Sequence, residues 1–169
     1  YDFSSVRKLV DVGGGHGVLL TTILARFPGL QGVLTDLPEV VSGAELEESM
    51  RARVEIISGD FFAEVPASDA YIMKNIIHDW NDERSVAILK SVHRAAEPGA
   101  VVLIVEAIVP DGNEPSFAKT LDLEMLQATN GGVQRTEKEF TQLFEPSGFK
   151  INRWIPTHSL AWIIEAVAV

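Results

Sequence analysis

The chain has 169 residues, 46% hydrophobic and 22% charged, which is the balance of one globular domain with a substantial core. A formal net charge of −10 without a Lys/Arg cluster excludes a role on nucleic-acid backbone. The absence of cysteine excludes a disulfide framework, a thiolate nucleophile and a Cys-based metal site. No apolar run reaches membrane-spanning length and no signal segment is present, so a cytoplasmic setting is expected.

Taken in order, strand-like and helix-like stretches alternate. Strands are predicted near Lys8–Val12, Gly32–Thr35, Val54–Ile57, Ala70–Met73 and Ala100–Val105, with apolar runs suited to burial on both faces. Helices are predicted near Val18–Phe27, Pro38–Met50, Asp82–Ala96, Phe117–Ala128 and Glu137–Glu145. Asn81 is placed to cap the third of these and Thr136-Glu137-Lys138-Glu139 reads as a capping box, with Gly148 just past the last helix. Lys150–Ile155 and Ala161–Val169 form two further strand-like runs joined by Pro156-Thr157-His158-Ser159, hence an antiparallel hairpin. The expected fold is α/β: a doubly wound, Rossmann-like, mostly parallel sheet closed by a C-terminal antiparallel hairpin, forming one domain over residues 1–169.

The stretch Leu9-Val10-Asp11-Val12-Gly13-Gly14-Gly15-His16-Gly17 reads as strand, glycine turn and helix start, where backbone N–H groups face a ligand. The dinucleotide fingerprint G-x-G-x-x-G fails because its third glycine would fall at Val18. Asp11, near the top of the first strand, would repel a pyrophosphate and suits an ammonium. Asp36 ends the second strand and is placed to accept hydrogen bonds from ribose hydroxyls. Asp60 and Phe61 follow the third strand and suit an adenine, the acid for its exocyclic amine and the ring for its face.

These residues, with Thr35-Asp36-Leu37-Pro38, Gly59-Asp60-Phe61-Phe62, Met73-Lys74-Asn75-Ile76-Ile77-His78-Asp79-Trp80, Glu97-Pro98-Gly99-Ala100, Val105-Glu106 and Gly131–Phe140, resemble the S-adenosylmethionine-dependent O-methyltransferases of the caffeate, hydroxyindole and antibiotic-tailoring type. The resemblance runs in order from Tyr1 almost to the C-terminus. It implies a class I methyltransferase fold and S-adenosyl-L-methionine as cofactor, with Asp11, Gly13, Gly15, Asp36, Leu37, Asp60, Phe61 and Lys74 around it. It also implies a small aromatic acceptor with a phenolic or polyketide-like hydroxyl, as in secondary metabolism. Tyr1-Asp2-Phe3-Ser4 matches where the family's catalytic domain begins. The family's N-terminal dimerisation domain is therefore expected on a longer chain: a homodimer at full length, with this fragment able to stand as a monomer.

Methyl transfer from a sulfonium to oxygen needs alignment and removal of the hydroxyl proton. The resemblance assigns the general base to His78, after the fourth strand, and its orientation to Glu106, at the end of the fifth. The plainer alternatives are a surface histidine near the Asn81 cap and a solvated strand-end acid. The family usually carries a second glutamate where this chain has Gln134, an amide that accepts a hydrogen bond but brings no charge. Lys74 is assigned to the cofactor's carboxylate or nearby backbone, against the alternative of a snorkelling strand-end lysine. Trp80 and Met125 are expected to line the acceptor pocket, although a methionine on a helix often serves the core. Asp122 and Glu124 lie two apart on a helix and face apart, so no metal is expected. Two rivals stand beside this reading. One is a domain that binds the cofactor without turnover, as a scaffold; the other is a nucleotide-cofactor oxidoreductase, disfavoured by Asp11, Val18 and the hairpin.

Overall fold

A computed structural model describes residues 1–169. Seven strands, β1 (Lys8–Val12), β2 (Gln31–Asp36), β3 (Val54–Ser58), β4 (Ser68–Lys74), β5 (Ala96–Ala107), β6 (Phe149–Pro156) and β7 (Ala161–Ala168), form one sheet in the order β3-β2-β1-β4-β5-β7-β6. The pairs β1–β2, β1–β4, β2–β3 and β4–β5 are parallel, and β7 runs antiparallel to both β5 and β6. The expected parallel sheet with a C-terminal hairpin is therefore present. Because β2 and β3 lie on one side of β1 and β4 on the other, strand order reverses between β1 and β4. Such a reversal opens a crevice at the carboxyl ends of the strands.

The helices are α1 (Val18–Arg26), α2 (Pro38–Val41), α3 (Glu48–Arg51), α4 (Asp82–Ala95), α5 (Phe117–Ala128) and α6 (Glu137–Phe144). The single helix expected over Pro38–Met50 is two short ones, with Gly43 in the gap between them. A Cβ on Gly43 would lie 3.0 Å from the His16 ring, so this break lets the segment after β2 pack closely on the glycine turn. Both predicted caps form: Asn81 accepts the Arg84 N–H at 3.0 Å, and Thr136 and Glu139 make a reciprocal capping box.

The β pleat sends alternate side chains to opposite faces of the sheet, giving two cores. Leu9, Ala70, Ile72 and Leu103 join Leu20 and Leu24 of α1 on one face. Val10, Val12, Tyr71, Met73, Val102 and Ile104 join Ile88, Leu89 and Val92 of α4 and Phe140, Leu143 and Phe144 of α6 on the other. Leu20 and Leu24 are fully buried, each contributing on the order of 2 kcal/mol. Gly32 permits this fit, because a Cβ there would meet Leu24 at 2.8 Å. Continued to the strand ends, the same alternation sends Asp11 and Lys74 to the α1 face and Glu106 to the α4/α6 face. Asp11 and Lys74 thus stand on one face of the sheet edge and Glu106 on the other, while Phe61 packs toward the α4/α6-side core. No helix is long and apolar enough to cross a membrane.

Candidate active site

The turn after β1 is built from glycines because its backbone requires them. Gly13, Gly15 and Gly17 have φ of 69°, 60° and 80°, a region that side chains disfavour. The N–H groups of Gly13 and Gly14 donate to the Thr35 carbonyl at 2.8 and 3.3 Å, tying the turn to the end of β2. Asp36 completes the tie: its carboxylate accepts the Gly15 N–H at 2.9 Å and the Leu37 N–H at 2.8 Å. Gly14 is needed for space, since a Cβ would stand 2.6 Å from the Asp11 carboxyl carbon and 2.5 Å from Leu34.

This turn borders a cavity of about 410 Å³ lined by Asp11, Gly13, Gly14, Gly15, His16 and Lys74, among others. Asp11 is 1% exposed, and its Oδ2 has no hydrogen-bond partner. Burial pushes its carboxyl up to about 7, aided by the charge of Asp36 and opposed by the backbone at Leu20 and by the Lys74 ammonium. An orphaned acid and a lysine on one face of the same cavity fit a ligand carrying both an ammonium and a carboxylate, as the methionine end of S-adenosylmethionine does. After β3, Asp60 accepts the Phe62 N–H at 2.8 Å. Phe61 and Phe62 pack with ring centroids 5.0 Å apart, and Trp80 stands edge-on to both at 6.2 and 4.9 Å. Trp80 therefore forms the wall of an aromatic cluster on the Phe61 side, with Arg84 stacked against it at 4.6 Å.

β4 ends at Lys74 on the Asp11 side, and Asn75 then turns the chain with φ 56°, the only positive φ outside glycine. The turn delivers Ile77–Asp79 as a single 3-10 turn above β5. Glu106, fully buried, organises that turn: its Oε1 accepts the backbone N–H groups of Ile76, Ile77 and His78 at 3.0, 3.0 and 3.3 Å. Its Oε2 lies 3.0 Å from His78 Nδ1. Gln134, 4% exposed, places its side-chain amide 2.9 Å from the same Nδ1. Asp79 Oδ1 lies 3.4 Å from His78 Nε2. Burial draws the His78 imidazole down, but the contact and charge of Glu106, helped by Asp79, leave it raised above the ordinary value. Burial also raises Asp79, with His78 pulling it back.

The sequence reading brought His78, Glu106 and Gln134 together, and they meet. It missed the groups that hold the cluster in place. Arg135, 1% exposed, donates to the carbonyls of Ile77, Val133 and Trp80 and to Asp82, bracing the histidine turn. The Val133 N–H bonds the His78 carbonyl at 2.9 Å. Asp122 accepts the Gln134 backbone N–H at 2.8 Å, so α5 anchors the segment that carries the side-chain amide. No sequence pattern pairs residues this far apart; the available signal was Arg135 lying beside Gln134 in the quoted Gly131–Phe140 motif. Met125 sits half-buried on α5, whose Phe117, Leu123 and Leu126 are exposed.

Known proteins share this sequence pattern and fold. The chain is 44% identical over 170 residues to a phenazine O-methyltransferase, PhzM, of Lysobacter antibioticus, across 98% of this chain and 50% of that protein. Among solved structures it resembles CalO1, a methyltransferase of calicheamicin biosynthesis in its SAH-bound form, with a TM-score of 0.93 and 38% identity over 100% of this chain and 51% of the other. It also resembles NcsB1, an O-methyltransferase of neocarzinostatin biosynthesis solved with S-adenosylmethionine and 2-hydroxy-5-methyl naphthoic acid. There the TM-score is 0.90 and identity 34%, again over 100% and 51%. The chain spans about half the length of the curated relatives it matches. The profile of the O-methyltransferase domain matches residues 1–150, and the chain belongs to that family.

Proposed function

We propose that residues 1–169 form the catalytic domain of an S-adenosylmethionine-dependent O-methyltransferase acting on a hydroxyl of a small aromatic acceptor in secondary metabolism. The observation that carries this reading is His78. It is held at the carboxyl edge of the sheet by a fully buried Glu106 and by Gln134, beside a glycine-turn cavity with an orphaned acid. The bound cofactor supplies an electrophilic methyl on a sulfonium; the chain supplies position and a base.

Asp11 and Lys74 take the two charges of the amino-acid end, with the backbone of Gly13 and Gly15 alongside. Asp36 keeps lone pairs for the ribose hydroxyls after binding the Gly15 and Leu37 N–H groups, which fixes the segment carrying Leu37. Asp60 and Phe61 take the adenine. His78 accepts the acceptor's hydroxyl proton at Nε2 while Nδ1–H stays turned to its two buried neighbours. Met125 and Trp80 line the acceptor side, Trp80 as a wall shared with the Phe61 cluster. No step requires a metal ligand set. A cytoplasmic site and a homodimer at full length complete the proposal.

Calorimetric titration with S-adenosylhomocysteine, NAD as control and Asp36→Ala as site test, checks the cofactor half. Binding of the first alone, weakened by the substitution, is expected; preference for NAD overturns the reading. A screen of phenolic acceptors with mass detection of a methylated product checks the reaction, and cofactor binding with no methyl transfer to any hydroxyl would favour a scaffold.

A further inference from the structure

The aromatic cluster that follows β3 has one charged member. The Arg84 guanidinium lies 4.2 Å from the centre of the Phe62 ring and 4.6 Å from that of Trp80. Those two rings meet at 88°, so the cation sits in the corner between them. Its side chain makes no ion pair and no hydrogen bond, and the nearby Asp82 is taken by Arg135. The backbone of Arg84 has a separate task. Its N–H donates to the Asn81 side chain at 3.0 Å, so α4 stays capped whatever side chain stands at this position.

Resting on the adenine reading above, we infer that Arg84 is a positioning residue for the cofactor's base: it fixes the Phe62 and Trp80 rings that flank Phe61. Trp80 needs such a hold. Its carbonyl accepts from Arg135 at 2.8 Å and from Ser85 at 3.3 Å, and its backbone N–H donates to Ile77 at 3.2 Å. The backbone is therefore pinned, but the indole N–H makes no hydrogen bond, and the ring is oriented by what packs on it. A cation over a ring face is drawn to the negative face of the π-system, and a planar guanidinium also stacks there, which an ammonium cannot do. Lying against two nearly perpendicular faces at once, it opposes rotation of either ring. Phe61 is left untouched by the cation. It meets Phe62 at 5.0 Å and Trp80 at 6.2 Å, and its Cε1 lies 3.6 Å from where a Cβ on Gly13 would stand. Phe61 thus borders the glycine turn while Arg84 secures its two neighbours. The side chain is exposed, so replacing it leaves the core intact.

Calorimetric titration of this chain with two ligands tests the inference: S-adenosylhomocysteine, and S-ribosylhomocysteine, which keeps the amino-acid and ribose ends without the adenine. The wild type is expected to prefer the first. Equal affinity, or binding of neither, overturns the adenine reading and this inference with it. Given the preference, Arg84→Gln is expected to weaken S-adenosylhomocysteine by roughly threefold to tenfold, the share of an arginine lying on two rings, and to leave S-ribosylhomocysteine unchanged. No change with either ligand overturns the inference while the adenine reading stands. Equal weakening of both also overturns it, because a general loosening of the fold does not single out the base. Arg84→Lys keeps the charge without the plane and is expected to restore part of the loss; a lysine variant no better than the glutamine one removes the cation from the argument. The ring is read without any ligand, from the Trp80 indole signal in ¹H–¹⁵N NMR, assigned with Trp80→Phe. That signal is expected to move in Arg84→Gln, and an unmoved signal means that Arg84 does not hold the ring.

Discussion

The two sides of the sheet's carboxyl edge solve the same problem with different materials. On the α1 face, the cavity is shaped by backbone: glycines at positive φ, N–H groups tied to Thr35 and Asp36, and one orphaned acid. On the α4/α6 face, the histidine turn is shaped by side chains from distant strands and loops converging on three residues. A backbone-built half is rigid and sensitive to volume, whereas a side-chain-built half is sensitive to the loss of a hydrogen-bonding group. The pleat keeps them apart, so each half is expected to fail without taking the other with it. The halves touch at Gly13, where a Cβ would strike Ile76 at 2.5 Å, and where Phe61 packs against Trp80.

The largest separation comes from His78→Ala. If the halves are independent, the substitution lowers kcat by roughly 10²–10⁴-fold, the usual share of a general base, with S-adenosylhomocysteine affinity unchanged. Turnover near that of the wild type removes His78 from the mechanism, and a parallel loss of affinity breaks the independence. Next in size is Glu106→Leu. It removes the common acceptor of three backbone N–H groups, each costing about 1–3 kcal/mol when buried and unpaired. Chemical denaturation should show a loss of several kcal/mol, with Glu106→Gln losing much less because an amide oxygen still accepts. Equal stability in all three proteins would mean that water replaces the carboxylate and that the turn is not held by it.

The same contrast explains what the chain discloses before it is folded. The glycine turn, Asp36 and both caps depend on residues a few positions apart, so spacing alone carries them. Residue order also disclosed the sheet, down to the antiparallel hairpin, because buried strands are short apolar runs between turn residues. The break at Gly43 stayed hidden, since a glycine inside a helical pattern signals nothing until the His16 ring is known to lie against it. The work of Arg135 and Asp122 stayed hidden for the same reason at longer range. Arg135 braces carbonyls more than fifty residues upstream, and Asp122 anchors a backbone N–H twelve residues on. Only the packed sheet brings those partners together.

A smaller effect tests the backbone-built half. Gly14→Ala forces a methyl toward the Asp11 carboxyl and Leu34, and overpacking of this kind costs about 1–3 kcal/mol. Affinity for S-adenosylhomocysteine should fall by roughly tenfold or more, while the ¹⁵N spectrum of His78 stays as in the wild type. A changed His78 spectrum would show that strain crosses the sheet edge and that the halves are coupled.

The finest probe is the proton on Asp11. Burial raises its carboxyl from 3.8 to about 7, so between those values the folded chain binds more protons than the unfolded one. Its contribution to stability is fully present below pH 3.8 and is lost as pH rises through about 7; Asp11→Asn should flatten that decline. An ammonium placed beside Asp11 reverses the preference by favouring the charged carboxylate. Binding of S-adenosylhomocysteine at pH 6 should therefore release a fraction of a proton. The calorimetric enthalpy would then vary with the ionisation enthalpy of the buffer, and the variation should vanish in Asp11→Asn. His78, raised above the ordinary imidazole value by Glu106, also exchanges a proton, so the experiment is repeated in His78→Asn, where the release should persist. A release that disappears with His78 instead would place the ligand's charge on the other face of the sheet. The ammonium would then not lie against Asp11, and the cavity beneath the glycine turn would have been misread.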